Sequence, residues 1–196
     1  EPVYDLLPLG CTDAMRRLVE KDAPAAKLLA AIEADDVRSL DMHMGPLRRL
    51  TGGLKVDGVV QAVKDEFDGG LDKIVLAYWH KDVGDALESS LSKFGVRRID
   101  GSTDAADREM ATTLFARADG PRVFLAQVQA AGEAIDLSAA AVLWFVESSF
   151  VPAAMAQMSK RITNVNQTRQ PFVKVCVLEG SIDEAIQAAL LRKWSS

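Results

Sequence analysis

Short apolar runs alternate along most of the chain with segments whose apolar positions recur every three or four residues. An apolar run bounded by turn residues is typical of a strand that is buried on both faces of a parallel sheet. We therefore predict strands at KIVLAYW (73–79), VRRID (96–100), RVFLAQV (122–128), AVLWFVE (141–147) and FVKVCVLEG (172–180).

The segments between these runs have the periodicity of amphipathic helices. The first region predicts two helices that separate near Pro24, and a later helix is ended by Gly69 and Gly70. Ser181 and Glu184 have the spacing of a capping box at the start of the last helix. The predicted helical segments are 12–33, 56–67, 82–94, 104–117 with Thr103 or Asp104 as N-cap, about 152–162, and 181–194.

This alternation predicts an α/β fold with a mainly parallel sheet flanked by helices and right-handed crossovers. In such sheets ligands collect at the carboxyl ends of the strands. The loops that follow the strands should therefore carry the function. Three of these loops, each containing polar residues, are GSTDAADR (101–108), QVQAAGEAIDLS (127–138) and ESSFVPAAMAQMSKR (147–161).

Composition narrows the class of protein. A chain of 196 residues with 48% apolar and 26% charged residues suits one globular domain, and no apolar run is long enough to cross a bilayer. Cys11 and Cys176 belong to no CxxC pair, so no metal site is predicted. The start at Glu1, without methionine or signal-peptide features, leads us to expect an intracellular fragment of a longer protein.

The net charge of −5 argues against attraction of nucleic acid by the whole surface. From Gln157 to the end, however, six basic residues stand against three acidic ones. A local positive footprint for phosphate is therefore predicted near the C-terminus.

Five stretches of the sequence together resemble a known family. In chain order they are LRRLTGGLKVDGVVQAVKDEF (47–67), KIVLAYWHKDVGDAL (73–87), RRIDGSTDAADREMATTLF (97–115), FLAQVQAAGEAIDLSAAAVLWFVESSFVPAAMAQ (124–157) and AQMSKRITNVNQTRQPF (156–172). They resemble the second RecA-like lobe of superfamily 2 helicases, and more narrowly the Swi/Snf-type DNA translocases, including the annealing-helicase branch and its phage relatives. The resemblance implies a helical linker or protrusion at residues 1–49 and a RecA-like helicase C-terminal domain at 50–196.

The resemblance also implies an ATP-facing role for part of this lobe. In the family ATP lies between two lobes, and the first lobe supplies the glycine-rich loop and the magnesium site. The second lobe supplies an arginine that stabilises charge on the transferring phosphoryl group. The matching ATP-binding positions here are Gly132, Asp136, Gln157 and Arg161.

Arg161 is the arginine-finger candidate, and the sequence departs from the family close to it. The family pattern Q-x-x-x-R-x-x-R ends here in Asn164, and Glu133-Ala134 replaces a usual Leu-Gly. Because asparagine carries no charge, weak ATP turnover is expected unless Arg161, Lys160 or Arg169 compensates. No GxxxxGK[ST] motif occurs, so ATP and Mg²⁺ are implied for the two-lobe parent, and this lobe alone should bind neither tightly.

DNA contacts in this family come from hydroxyl, amide and basic groups at the same sheet edge, which bind backbone phosphates. The implied partners are DNA and the N-terminal RecA-like lobe of the same polypeptide, with no membrane. The implied location is the cytoplasm for a bacterial or phage-type protein and the nucleus for a eukaryotic one. The matching DNA-binding positions are His80, Lys81, Ser102, Thr103, Arg108 and Gln127.

Other interpretations stay open. The chain could be a degenerate, non-hydrolysing lobe that binds DNA or protein, or an unrelated nucleotide-binding or flavodoxin-like domain. His80 could cap the helix that follows it, and Ser102 and Thr103 could be ordinary N-caps. Arg161 could pair with Glu147 or Glu179.

Overall fold

The computed structural model describes residues 1–22, 25–132, 135–149 and 151–195. Within these ranges, short 3₁₀ helices lie at Ser92–Phe94 and Val128–Gly132. The elements in chain order are β1 (Val3–Leu9), α1 (Asp13–Asp22), α2 (Ala25–Glu33), α3 (Val37–Asp68), β2 (Ile74–Tyr78), α4 (Lys81–Leu91), β3 (Val96–Ile99), α5 (Ala105–Ala116), β4 (Val123–Gln127), β5 (Val142–Phe145), α6 (Pro152–Ser159), β6 (Phe172–Leu178) and α7 (Ile182–Ser195).

The six strands form one sheet in the order β1-β6-β5-β2-β4-β3, and every neighbouring pair is parallel. The predicted α/β fold with a parallel sheet is therefore confirmed. All carboxyl ends of the strands lie at one edge, which is the edge where the polar loops were expected.

The core lies on both faces of the sheet, and β2 shows why its sequence is apolar throughout. Val75 and Ala77 point into a cluster beneath α5 and α6. Ile74, Leu76 and Tyr78 point to the opposite face, where they meet the apolar stripes of α3 and α4. Because side chains alternate along a strand, a central strand needs apolar residues at every position.

The N-terminal region differs from the predicted helical linker. Val3–Leu9 forms β1, which pairs with β6 in register from Val3 with Phe172 to Leu9 with Leu178. Proline is tolerated on such an edge strand, and Pro8 lies within β1. The predicted boundary at 49/50 falls inside the 32-residue helix α3, which contains Pro46. The division into 1–49 and 50–196 stays a prediction, but its description as helical omits β1.

The start of α7 departs in detail from the predicted capping box. Ser181 Oγ accepts a hydrogen bond from the Asp183 N–H (3.1 Å), whereas Glu184 Oε2 accepts one from the Gly180 N–H (2.6 Å). Asp183 also forms a buried ion pair with Lys55 Nζ (3.0 Å), which joins α7 to α3. The helices of the described ranges include none that is long and apolar enough to span a membrane.

Candidate functional site

Gln127, at the end of β4, joins the loops that follow two neighbouring strands. Its Nε2 donates to the Trp79 carbonyl (3.0 Å), and its Oε1 accepts from the Gly101 N–H (3.1 Å). One amide therefore fixes the loop after β2 relative to the loop after β3. Gln127, itself a predicted DNA-binding residue, thus joins the loop that carries His80 to the loop that carries Ser102 and Thr103.

Arg108 lies beneath the same loops. Its side chain belongs to α5 and the residue is only 5% exposed. The guanidinium donates to the carbonyls of Thr103 (2.8 Å), Asp100 (2.9 Å) and Ala130 (3.1 Å). These bonds connect the loops after β3 and β4. The structure therefore directs Arg108 inward, toward backbone carbonyls, and not toward the protein surface.

Ser102 and Thr103 are organised by Asp100, which the sequence did not single out. Asp100 Oδ1 accepts from the Ser102 hydroxyl (2.6 Å) and the Ser102 N–H (2.8 Å), and Thr103 Oγ1 accepts from the Asp100 N–H (3.0 Å). The Ser102 bonds lower the pKa of Asp100. Of the two N-cap candidates it is Asp104 that caps α5, since it accepts from the Asp107 N–H (2.8 Å).

Glu147 holds the loop after β2 from the end of β5. Its carboxylate is 1% exposed, and Oε1 accepts from the backbone N–H groups of Trp79 and His80 (2.9 Å each). Oε2 lies 2.5 Å from His80 Nδ1. A Cβ on Gly52 would stand 2.7 Å from the same oxygen, so the carboxylate presses on the backbone of α3. Arg48 stacks on the Trp79 ring at 3.9 Å.

The sequence analysis named Glu147 only as an alternative partner for Arg161. The signal that could have found it is an acidic residue placed directly after an all-apolar strand. His80 is the N-cap of α4, but its side chain makes no cap hydrogen bond. The side chain turns instead to Glu147.

Lys81 extends from the first turn of α4 into solvent. Its side chain is 80% exposed and pairs with Asp85 at 2.9 Å. Exposed pairs of this kind are worth about 1 kcal/mol or less, so a phosphate can compete for the ammonium group.

Of the ATP-facing candidates, Gln157 and Arg161 do not lie on one helix. Gln157 is exposed on α6, but α6 ends at Ser159. The Arg161 N–H bonds to the Met158 carbonyl (3.1 Å), three residues back, so the chain tightens into turns before it reaches Asn164. Burial lowers the pKa of the Arg161 guanidinium.

Asp136 is the centre of a polar network in these turns. Its Oδ1 accepts from the Asn164 amide (2.8 Å) and the Ser138 N–H (2.9 Å), and its Oδ2 accepts from the Asn166 amide (2.8 Å). Burial raises the pKa of Asp136, but the hydrogen bonds from Ser138 and the two asparagines outweigh it and lower that pKa to about 2. The carboxylate is therefore ionised at neutral pH.

The backbone joins the same two segments. The Arg161 carbonyl accepts from the Leu137 N–H (2.9 Å) and from the Asn164 amide (3.2 Å). Farther along, Arg169 Nη2 donates to the Ala139 carbonyl (2.7 Å) and Gln167 Nε2 to the Ala140 carbonyl (2.7 Å). Arg169, considered above as a substitute for the second arginine, thus donates hydrogen bonds from its guanidinium to backbone carbonyls.

Some predicted features fall outside this description. Glu133-Ala134 and Phe150 lie outside the described residues, and Gly132 ends the 3₁₀ helix Val128–Gly132. Within the described ranges no three or more His, Cys, Asp or Glu side chains are grouped closely enough to hold a metal ion.

Comparison with known proteins was made for both sequence and fold. The helicase conserved C-terminal domain family matches residues 58–166. The chain is 27% identical over 145 residues to the "SWI/SNF-related matrix-associated actin-dependent regulator of chromatin subfamily A-like protein 1" of Bos taurus, covering 73% of this chain and 15% of that protein. It is 30% identical over 130 residues to the "Chromatin-remodeling ATPase INO80" of Aspergillus clavatus, covering 65% and 8%. The chain thus spans a small part of these relatives.

Two solved structures have the same fold. The C-terminal part of the Fun30 ATPase domain superposes with a TM-score of 0.72 at 16% identity, covering 96% of this chain and 89% of that one. The Sulfolobus solfataricus SWI2/SNF2 ATPase core, in complex with dsDNA, gives 0.71 at 17% identity, covering 99% and 44%. At these identities the likeness establishes the fold alone.

Proposed function

The chain belongs to the helicase conserved C-terminal domain family, in its Swi/Snf-related branch, and from this premise we propose that it is the second motor lobe of an ATP-dependent DNA helicase or translocase. In this proposal the lobe completes an ATP site and grips the DNA phosphate backbone. The observation that carries it is the gathering of the DNA-binding candidates at the carboxyl ends of β2, β3 and β4 in one parallel sheet.

Arg161 is the residue we assign to the nucleotide. Its charge would stabilise the transferring phosphoryl group, while Gly132, Asp136 and Gln157 would line the same side of the lobe. ATP and Mg²⁺ belong to the two-lobe protein, in which the N-terminal RecA-like lobe of the same polypeptide is the partner. Held through its carbonyl by Leu137 and Asn164, Arg161 has a fixed backbone from which to reach across.

The DNA contacts we propose come from the loops after β2 and β3. Lys81, His80, Ser102 and Thr103 would meet backbone phosphates, and Arg108 and Gln127 would hold those loops in position. The dsDNA in the Sulfolobus core structure supports DNA as the partner. A protein of this kind works where DNA is, in the nucleus of a eukaryote or the cytoplasm of a bacterial host.

Asn164 favours a second candidate function, a lobe that no longer supports hydrolysis and serves as a DNA- or protein-binding module. Asn164 stands at the position of the family's second arginine. Its side-chain amide donates to Asp136, and its side-chain Oδ1 accepts from the Asn166 N–H (3.0 Å). The side chain carries no charge, and it is occupied within the lobe.

DNA-stimulated ATPase activity of the full-length protein separates the two functions. A motor lobe predicts turnover that Arg161→Ala lowers by about 10³. Arg192→Ala removes an exposed cation of α7 that belongs to neither candidate set and is the matched control, with activity within about twofold of wild type. Asn164→Arg should raise turnover. If wild type is inert and Asn164→Arg changes nothing, the motor function is refuted and the binding module takes its place.

A further inference from the structure

The hydrogen bonds of Glu147 determine which nitrogen of His80 carries a proton. The Glu147 carboxylate accepts two backbone N–H groups at Oε1, so we assign Nδ1 of His80 as the donor to Oε2 in the 2.5 Å contact. Neutral His80 is therefore the Nδ1–H tautomer. Its other nitrogen, Nε2, then presents a lone pair and no proton.

Nε2 is the nitrogen that a ligand can reach. It has no hydrogen-bond partner in the described part of the chain, and it is not one of the fully buried polar atoms. The side chain is 21% exposed and stands beside Lys81 at the start of α4. A lone pair at Nε2 repels a phosphate oxygen, whereas imidazolium would donate a hydrogen bond to it.

Charges of both signs surround this imidazole. The Glu147 carboxylate lies against Nδ1 of His80, and the amino end of α4, where an anion would be stabilised, lies beside the ring. Arg49 neutralises Asp82 through a 3.1 Å ion pair, and Arg48 lies over the neighbouring Trp79 ring. Among the described residues, the charged groups that contact His80 or follow it directly on the chain are Glu147, Lys81 and Asp82, while Arg48 and Arg49 of α3 contact Trp79 and Asp82.

We propose that His80, positioned by Glu147, binds a DNA phosphate as imidazolium, so that DNA binding by this lobe takes up a proton. Glu147 acts through His80 and is a positioning residue. The bound phosphate would accept a hydrogen bond from Nε2–H, on the side of the ring away from Glu147. This inference rests on the proposed function, since it assumes that the loop after β2 meets DNA.

The test is the affinity of the full-length protein for a double-stranded oligonucleotide as a function of pH, at constant ionic strength and without nucleotide. As pH rises through the range in which histidine side chains ordinarily titrate, about pH 5 to 8, wild-type affinity should fall by as much as about tenfold per pH unit. Calorimetry in two buffers of different ionisation enthalpy should show uptake of up to about one proton on binding.

Three variants isolate the pair. His80→Gln can donate to phosphate without titrating, so its affinity should vary less with pH than that of wild type, and its proton uptake should be smaller. Glu147→Gln should also flatten the profile. If Glu147→Gln fails to fold, His80→Gln alone tests the inference, because the side chain of His80 is more exposed than that of Glu147. Lys81→Ala, the matched control, should lower affinity equally at every pH, because an ammonium group stays charged throughout.

The outcomes distinguish this inference from the proposed function. If wild type binds DNA and His80→Gln has the same pH profile and proton uptake, the inference is wrong and the proposed function stands. If wild type does not bind DNA, both are refuted.

Discussion

Two regions of the lobe are built differently, one at the carboxyl ends of β2, β3 and β4 and one in the turns that lead into β5 and β6. In the loops after β2, β3 and β4, which we assign to DNA, Arg108, Gln127 and Glu147 each bond to backbone groups of another element. In the turns that we assign to the nucleotide, the exposed side chains of Asp136 and Asn166 bond to each other. Removing a buried side chain strands backbone groups away from water, whereas exposed partners turn to water instead.

The difference indicates how much sequence change each region can tolerate before the lobe loses stability. In the region that we propose to grip phosphates, internal side chains hold the loops in register. In the region that we propose to face a second lobe, we expect the exposed polar network to contribute less to the stability of this lobe. Asn164, which the resemblance places at the family's second arginine, lies in this second region, where we expect sequence change to cost little stability.

Arg108→Met should have the largest effect of the substitutions that test this comparison. Three carbonyls would lose their donors beneath the loops, which should lower the free energy of unfolding by about 3 kcal/mol. Thermal or urea unfolding measures it. Arg117→Met is the matched control, because Arg117 is 59% exposed and pairs with exposed Asp119, and it should cost about 0.5 kcal/mol or less. Equal losses in both variants would contradict the assignment.

Gln127→Leu should have an intermediate effect. It keeps the side-chain volume but leaves the Trp79 carbonyl and the Gly101 N–H without their partner, at a cost of about 1 to 2 kcal/mol. Amide hydrogen exchange should become faster in the loops after β2 and β3 together. Gln61→Leu, in which an exposed amide loses only its bond to Asp65, should leave both loops unchanged. Faster exchange in one loop alone would mean that Gln127 does not join them.

The sequence predicted most of the sheet because a buried central strand must be apolar at every position, as KIVLAYW is. It failed at β1, where Asp5 and Pro8 interrupt the pattern in a way that only an edge strand tolerates. The sequence analysis also placed the start of a helix at Val56, whereas α3 starts at Val37. Pro46 and the Gly52-Gly53 pair are signals of a helix break, but tertiary packing overrides them.

For the DNA-binding candidates, the predicted topology indicated the edge of the sheet at which they lie, but not the directions in which their side chains point. Whether Arg108 faces phosphate or carbonyl depends on where the loop after β4 passes, and no local pattern contains that information. The end of α6 was also missed, since Ser159, Lys160 and Arg161 include neither glycine nor proline to stop a helix.

Asp136→Asn should have the smallest effect and carries a pH signature. The folded-state pKa of Asp136, about 2, lies below its ordinary value, so the ionised carboxylate stabilises the fold at neutral pH. That contribution is lost as pH falls from about 4 toward about 2, where both states become protonated. Since the network is exposed, we expect the variant to lose less than about 1 kcal/mol at neutral pH, and to converge with wild type in acid.

Chemical denaturation of wild type and Asp136→Asn at neutral pH and at about pH 3 measures this difference. Asp57→Asn, at an exposed position on α3, is the control and should match wild type under both conditions. A loss at neutral pH as large as that of Arg108→Met would mean that the nucleotide-facing turns stabilise the lobe as much as the DNA-facing loops do. The retention of an uncharged residue at position 164 would then reflect the needs of folding, because Asn164 donates to the same carboxylate.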